Sequence, residues 1–250
     1  MNDIANGVQA VVLAAGKGTR MRSDLPKVLH RLAGRTLLEH VLATVRDAGI
    51  QRSVVVVGHQ ADRVRAAVGG DDLVYVLQEP QLGTGHAVQC AAPALRPDGW
   101  TVVLAGDVPL LRPETLLRLV AATRESGAAA VVLTAVVDDA GAYGRIVKDE
   151  TGRLRRIVEA RDATPEELAI GEYNTGVYCY RTADLLAVLD RLDTDNDQRE
   201  YYLTDTIELL VADGRPVGTE VVDDPAEVVG INTVEELAAA EQLLRWRQEA

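Results

Sequence analysis

Gly16, Gly18, Arg20 and Lys27 fall in one run, LAAGKGTRMRSDLPK (13–27), directly behind the apolar stretch Val8–Leu13. Glycines let bare backbone N–H groups approach a phosphate, and a guanidinium fork plus an ammonium neutralise its oxygens. Off the end of a strand such a run is an anion site; without the cations the same glycines make only a tight turn. Pro26 stiffens the approach to Lys27. Two known phosphate loops do not fit. The order of Gly and Lys fails G-x-x-x-x-G-K-[ST], and G-x-G-x-x-G has Met21 where its last glycine belongs.

Other segments supply complementary groups. Asp107 follows the apolar run Thr101–Leu104 through Gly106, where a carboxylate either serves a hard cation or sits in an exposed turn. Gln78 carries an amide that donates and accepts in one plane, as reading a base edge requires; the alternative is a solvent-facing glutamine before a loop. Gly83-Thr84-Gly85 lets backbone approach a base and then opens a helix. No activated Ser, Cys or His constellation is present. His30, His40 and His59 have no metal spacing, and His86 reads as a structural residue, or one acting through a neighbour, not as a base. Asp138-Asp139 and Asp223-Asp224 read as solvated turns, and Tyr201-Tyr202 as packing.

The elements that must position these residues alternate in period. Val8–Leu13, Ser53–Val57, Leu73–Leu77 and Thr101–Leu104 are short β-branched runs, separated by helical spacings at Leu37–Ala48, Ala61–Val68 and Thr84–Ala92. Glu114–Glu125 is a further helix, entered by Pro113. Fully apolar strands alternating with helices predict a doubly wound α/β fold, its sheet covered on both faces. After Ala128–Val137 the rhythm breaks. Residues 143–164 read as a hairpin turning at Glu150-Thr151-Gly152, followed by a strand in EYNTGVYCY (172–180). Helices at Ala183–Leu192 and Thr204–Val211, a strand at Val217–Val222 and an amphipathic helix at Val234–Gln248 complete the chain. Leu237, Leu243, Leu244 and Trp246 are that helix's expected anchors. One domain over 1–250 is expected, its second half (138–250) an insertion or lid on the first (1–137).

Composition narrows the partners. The chain has 250 residues, 47% hydrophobic and 26% charged, lacks Phe, and carries a formal net charge of −12 at pH 7. That charge argues against nucleic-acid or anionic-membrane surfaces and makes the basic loop stand out. No apolar stretch approaches the ~20 residues of a membrane span, and the first residues lack a signal-peptide pattern. Cys90 and Cys179 are expected to be buried reduced thiols in a cytoplasmic protein.

The blocks LAAGKGTRMRSDLPKVLHRLAGRTLLEHV, QEPQLGTGHAV, AGDVPLL, YGRIV, IVEARDAT, NTGVY, EYYLTD and GINTVEEL resemble, in order, those of the sugar-nucleotide pyrophosphorylases. More narrowly they resemble the uridyltransferase half of the bacterial bifunctional N-acetylglucosamine-1-phosphate uridyltransferases/glucosamine-1-phosphate acetyltransferases. The resemblance implies a Rossmann-like nucleotidyltransferase fold with a mixed, mainly parallel sheet and a hairpin-containing sugar-side lid. It implies Mg²⁺, UTP and N-acetylglucosamine 1-phosphate as cofactor and substrates, with UDP-N-acetylglucosamine and pyrophosphate as products for cell-wall precursor synthesis. By it, Leu13, Ala14, Ala15, Gly16, Gly18, Gln78, Gly83 and Thr84 bind the nucleotide, with Arg20 and Lys27 on the phosphates. Asp107 and Asn232 ligate the metal. Ala105, Gly106, Gly144, Glu159, Asn174 and Thr204 line the sugar side. Asn232 is chosen by resemblance alone, since GIN before Thr233 also reads as a helix-start turn.

Some relatives carry Tyr where this chain has Ala105; contact there would run through backbone. Bifunctional members continue into left-handed β-helix repeats, absent after Val234–Gln248, so no acetyltransferase activity is expected, and the oligomeric state stays open. The chemistry is consistent without a protein nucleophile, because a sugar 1-phosphate with a second pKa near ~6 is already mostly a dianion at neutral pH. Two alternatives remain: a related enzyme for glucose 1-phosphate or a CTP-dependent acceptor, and a non-catalytic sugar-nucleotide-binding protein. The joint presence of Arg20, Lys27, Asp107 and Asn232 argues against the last.

Overall fold

The computed structural model describes residues 4–249; Met1–Asp3 and Ala250 of the expected 1–250 domain lie outside them. Strand β1 (Val8–Ala14) shows why the sheet forms. Ala10, Val11 and Val12 are all inaccessible to solvent, so both faces are covered. Its alternate residues enter different cores, Val8, Ala10, Val12 and Ala14 one and Val11 the other. A ribbon of β2 (Arg31–Leu32) and β3 (Arg35–Thr36), not foreseen from the sequence, leads into α1 (Leu37–Asp47). Thr36 and Glu39 close a reciprocal capping box at its start. Then follow β4 (Ser53–Val57), α2 (Ala61–Ala67), β5 (Leu73–Leu77), α3 (Thr84–Ala91) and β6 (Trp100–Ala105). Helix α4 (Pro113–Ser126) starts on its proline and stops at Gly127, whose φ of 64° suits a left-handed cap.

The second half comprises β7 (Ala130–Val136), β8 (Arg145–Lys148), β9 (Leu154–Val158), α5 (Pro165–Leu168), β10 (Glu172–Arg181) and α6 (Thr182–Leu189). It ends with α7 (Asp205–Ala212), β11 (Val217–Val221) and α8 (Val234–Glu249). The main sheet runs β11-β7-β10-β6-β1-β4-β5, with the β8–β9 hairpin joined through β10. Pairs β1–β4, β1–β6, β4–β5 and β7–β11 are parallel; β10 alone on this path runs antiparallel to both neighbours. The sheet is therefore mixed and mainly parallel. Helices α1, α2 and α4 pack on one face, and α3, α6 and α7 on the other. The consequence for function is geometric. The carboxyl ends of β1, β4, β5 and β6 and the amino end of β10 share one edge, where loops from both halves of the chain meet.

Several expectations need correction. Trp246 is 65% exposed and anchors nothing, whereas Leu237, Leu243 and Leu244 of α8 pack around Leu32, Leu37, Leu110 and Ile231. Cys179 is buried but Cys90 only partly, because α3 buries Ala87, Val88 and Ala91 and turns residue 90 to its flank. Asp223 is an exposed bend residue beside Arg118, as expected, but Asp224 is not simply solvated: it pairs with Arg112 at 3.4 Å and with Arg247 at 2.7 Å, tying α8 to the body. Among the described residues no helix is long and apolar enough to cross a membrane.

Beside this clamp, Glu227 is 2% exposed and accepts from Thr115 Oγ1 at 2.7 Å and the Arg112 backbone N–H at 3.3 Å. It fixes the segment leading to Asn232 onto α4. Glu227→Ala leaves these donors unmatched, and urea unfolding is expected to show about 2–3 kcal/mol less stability, kept modest because Arg112 is half-exposed.

Candidate active site

Two cavities open side by side along the shared edge, of about 510 Å³ and 430 Å³. The first is bordered by Leu13, Ala14, Ala15, Gly16, Lys27, Gln78, Gly83 and Thr84, all expected on the nucleotide side. The second is bordered by Arg20, Gly144, Glu159, Asn174 and Asn232. Ala105 and Asp107 border both. Gly18, Gly106 and Thr204 border neither, and each has a different task.

At the junction, Lys27 Nζ donates to Asp107 Oδ2 and, at 3.0 Å, to Asn232 Oδ1. Arg20 Nη2 donates to the same Asn232 oxygen at 2.9 Å. The orientation of that amide is not arbitrary. Asn232 Nδ2 donates to the Gly230 carbonyl at 3.0 Å, which can only accept, so Oδ1 must face the cations. The loop is tied to the β6 end by Ile231 N–H donating to the Asp107 carbonyl at 2.8 Å. Thr233 and Glu236 form a reciprocal cap at the start of α8, with Asn232 N–H also reaching Glu236 at 2.5 Å. The helix-start reading of GIN and the charge-site reading therefore both describe Asn232.

Lys27 is placed by its neighbours. Pro26–Leu29 form a tight turn with Leu29 N–H on the Pro26 carbonyl at 2.9 Å, and Val28 and Leu29 are buried in the core. Gly18, with φ 63°, lies so close that a Cβ on it would stand 2.5 Å from Lys27 Cβ. Its role is to admit Lys27, not to line the cavity. Gly106 N–H donates to the Leu13 carbonyl at 2.8 Å, joining the ends of β6 and β1 under the site.

On the nucleotide side, Gly83 has φ 104°, and a Cβ there would meet the Tyr201 carbonyl at 2.5 Å. Gly85 N–H donates to that carbonyl at 2.7 Å, and Thr84 Oγ1 accepts from Leu203 N–H at 3.1 Å. The backbone of Tyr201 and Leu203 thus clasps the glycine turn from the second half of the chain.

On the sugar side, Asn174 is held at both ends of its amide, by Tyr178 Oη at 2.7 Å and Gly176 N–H at 3.0 Å. Thr204 lies behind Glu159 and donates to it at 3.2 Å, a support rather than a wall. Burial pushes the Glu159 carboxyl up, the Thr204 bond opposes this, and Asp162 adds to it. Tyr143 and Glu236 border this cavity and Gln81 and Glu200 the other, all four beyond what sequence reasoning singled out. Tyr143 packs against Tyr173 in a tilted pair with ring centroids 4.7 Å apart, and its Oη accepts from Gly230 N–H at 3.4 Å. Its signal was its place beside Gly144 in YGRIV. Glu236 was hidden by an ordinary helix-start sequence.

With this geometry in place, comparison with known proteins is informative. The family model for MobA-like NTP transferase domains matches residues 10–207. The bifunctional protein GlmU of Trichlorobacter lovleyi is 50% identical over 240 residues, 95% of this chain and 52% of that protein. GlmU of Bordetella petrii is 52% identical over 246 residues, 97% of this chain and 53% of that one. The chain spans about half the length of these curated relatives. A UDP-glucose pyrophosphorylase solved with UDP-glucose superposes with a TM-score of 0.77 at 16% identity, covering 96% of this chain and 98% of that chain, a likeness of fold.

Next to Thr204, Asp205 titrates abnormally: burial first, then Asp193, Glu159, Glu208 and Asp162, push its carboxyl up to about 7. An unfolded aspartate titrates near ~3.9, so the folded state binds its proton more tightly. The stability this confers is complete below the unfolded value and is lost as pH rises toward 7. Asp205→Asn, neutral throughout, is expected to match wild type near pH ~4 and exceed it above pH ~7 by on the order of 1–3 kcal/mol in urea unfolding.

Proposed function

Because the chain belongs to the MobA-like NTP transferase family, we propose that it transfers uridylyl from UTP to N-acetylglucosamine 1-phosphate, releasing pyrophosphate and forming UDP-N-acetylglucosamine. The observation that carries this reading is the pair of cavities meeting at Asp107, with Lys27 bordering one, Arg20 the other, and Asn232 bonded to both cations. A nucleotide in one and a sugar phosphate in the other bring an acceptor oxygen and an α-phosphorus together there. The GlmU relatives favour this acceptor and base. Two free cysteines are compatible with a cytoplasmic setting.

The reaction asks for placement and charge neutralisation. A phosphate oxygen of the sugar 1-phosphate forms the new bond to the α-phosphorus while the bond to the bridging oxygen of the β-phosphate breaks, and pyrophosphate leaves with that electron pair. The attacking dianion needs no base. Lys27 and Arg20 offset the negative charge gathered at the junction, and the glycine turns let backbone approach the nucleotide.

The donor set suits Mg²⁺. Asp107 and Asn232 present hard oxygens converging on one positive charge, and Gly230 leaves room beside them, since a Cβ there would lie 3.7 Å from Asp107 Oδ2. Asp107 and Asn232 would hold the ion, which when bound supplies charge stabilisation for the phosphates. Phosphate and water oxygens would complete its shell.

The test is pyrophosphate release with UTP and N-acetylglucosamine 1-phosphate. Turnover with CTP or glucose 1-phosphate and none with this pair would overturn the reading. Asp107→Ala is expected to lower kcat by roughly a thousandfold or more in a protein that still folds and unfolds cooperatively, its midpoint lowered by the loss of the carboxylate beside Lys27. Lys27 and a cation compete for the same oxygens, so Lys27→Met should tighten Mn²⁺ binding to the ligand-free protein by roughly tenfold, read by electron paramagnetic resonance, while abolishing turnover.

A further inference from the structure

The side-chain amide of Gln78 is held by one end only. Its Nε2 donates to the Gly83 carbonyl at 2.9 Å and lies 3.2 Å from His86 Nδ1. A carbonyl oxygen only accepts, so the amide nitrogen must face Gly83, and Oε1 points away from it. Gln78 borders the nucleotide-side cavity, and among the described residues no donor reaches its Oε1, which is nevertheless not sealed from solvent. The free acceptor therefore belongs to the cavity.

The second N–H of Gln78 is satisfied only where His86 Nδ1 carries a lone pair. That places the ring proton on Nε2, which lies 3.6 Å from Cys90 Sγ, a weak acceptor one helical turn further on. Tyr201 packs against the ring with centroids 6.1 Å apart, limiting its swing. A proton on Nδ1 would set two donors against each other and force the amide to turn, at the cost of its bond to Gly83.

We propose that His86 is a positioning residue for base selection: its unprotonated Nδ1 holds Gln78 with Oε1 presented to the nucleotide as an acceptor. The site then matches a pyrimidine whose ring nitrogen at that edge bears a proton, as N3 of uracil does. Cytosine, with a lone pair at N3, faces acceptor against acceptor. This rests on the reading of the first cavity as the nucleotide site and adds the residue that sets its preference.

The test is the ratio of kcat/KM for UTP to that for CTP, with N-acetylglucosamine 1-phosphate as acceptor, in wild type, His86→Leu, His86→Asn and Gln78→Ala. A ratio is insensitive to loss of folded protein, which scales both substrates equally. His86→Leu is expected to lower it about tenfold or more, chiefly through KM for UTP, because the amide is freed to turn. Asparagine can place an amide oxygen near the position of Nδ1, so His86→Asn is expected to restore the ratio to within about threefold of wild type. A His86→Leu ratio within about twofold of wild type overturns the proposal, as does His86→Asn behaving like His86→Leu, which would assign the effect to ring volume. A wild type without preference for UTP, or a Gln78→Ala variant that keeps it, overturns instead the base-reading assignment on which the proposal stands.

Discussion

Lys27 Nζ is shared between oxygens of residues that lie 80 and 205 positions further along the chain. Most of the architecture can be understood as what that convergence requires. The side chains of Lys27 and Asp107 are 17% and 14% exposed, so each would be costly if left alone. Lys27 comes from the loop after β1, Asp107 from the end of β6, and Asn232 from the turn before α8. The first two are neighbours because β1 and β6 pair in parallel from Val8↔Trp100 to Leu13↔Ala105, with Gly106 continuing the contact. Asn232 arrives from outside the sheet, carried by a segment that Glu227 fastens to α4 and Ile231 fastens to Asp107.

The sheet, in turn, is what allows such precision at its edge. Alternate valines of β1, β4 and β6 enter separate cores, so a slip of one residue would send each set to the wrong face and move every loop at the carboxyl edge. Strand β10 extends this edge. Its reversed direction brings Asn174 to the same rim, and the irregular pairing between Asn174 and Val177, at Gly176 with φ 78°, turns that residue out of the ladder. One antiparallel strand thus delivers a wall of the second cavity to the rim of the first.

What was legible in the sequence follows from this hierarchy. Short continuous apolar runs and their intervening helices are local, and so the order of elements, the glycine loop and Asp107 at a strand end could be read directly. Whatever depends on who sits across a gap could not. Nothing local says that β10 lies between β6 and β7, that Gly18 exists to admit Lys27, or that Thr204 stands behind Glu159. Trp246 illustrates the opposite error: a large aromatic at helical spacing reads as an anchor, yet α8 faces the body with its leucines. Asn232 needed resemblance because its own neighbours spell an ordinary helix start, which it also is.

The resting hydrogen bonds divide the site into fixed and exchangeable parts. Asn174, Thr84 and the amide nitrogen of Gln78 already have protein partners, so ligand binding need not order them. Lys27 differs. Its partners are the two oxygens that suit a divalent cation, and a phosphate can draw it away only if something else takes over their charge. Under the proposed reading, nucleotide and cation would each remove the other's obstacle: a phosphate would attract Lys27 out of the gap, and a cation held by Asp107 and Asn232 would compensate the carboxylate once Lys27 had left. Arg20, which among the described residues bonds only the neutral amide oxygen of Asn232, could turn to phosphate without leaving a bare carboxylate. Lys27 is thus the group whose partners would have to change, and the free energy of that exchange would couple the two binding events.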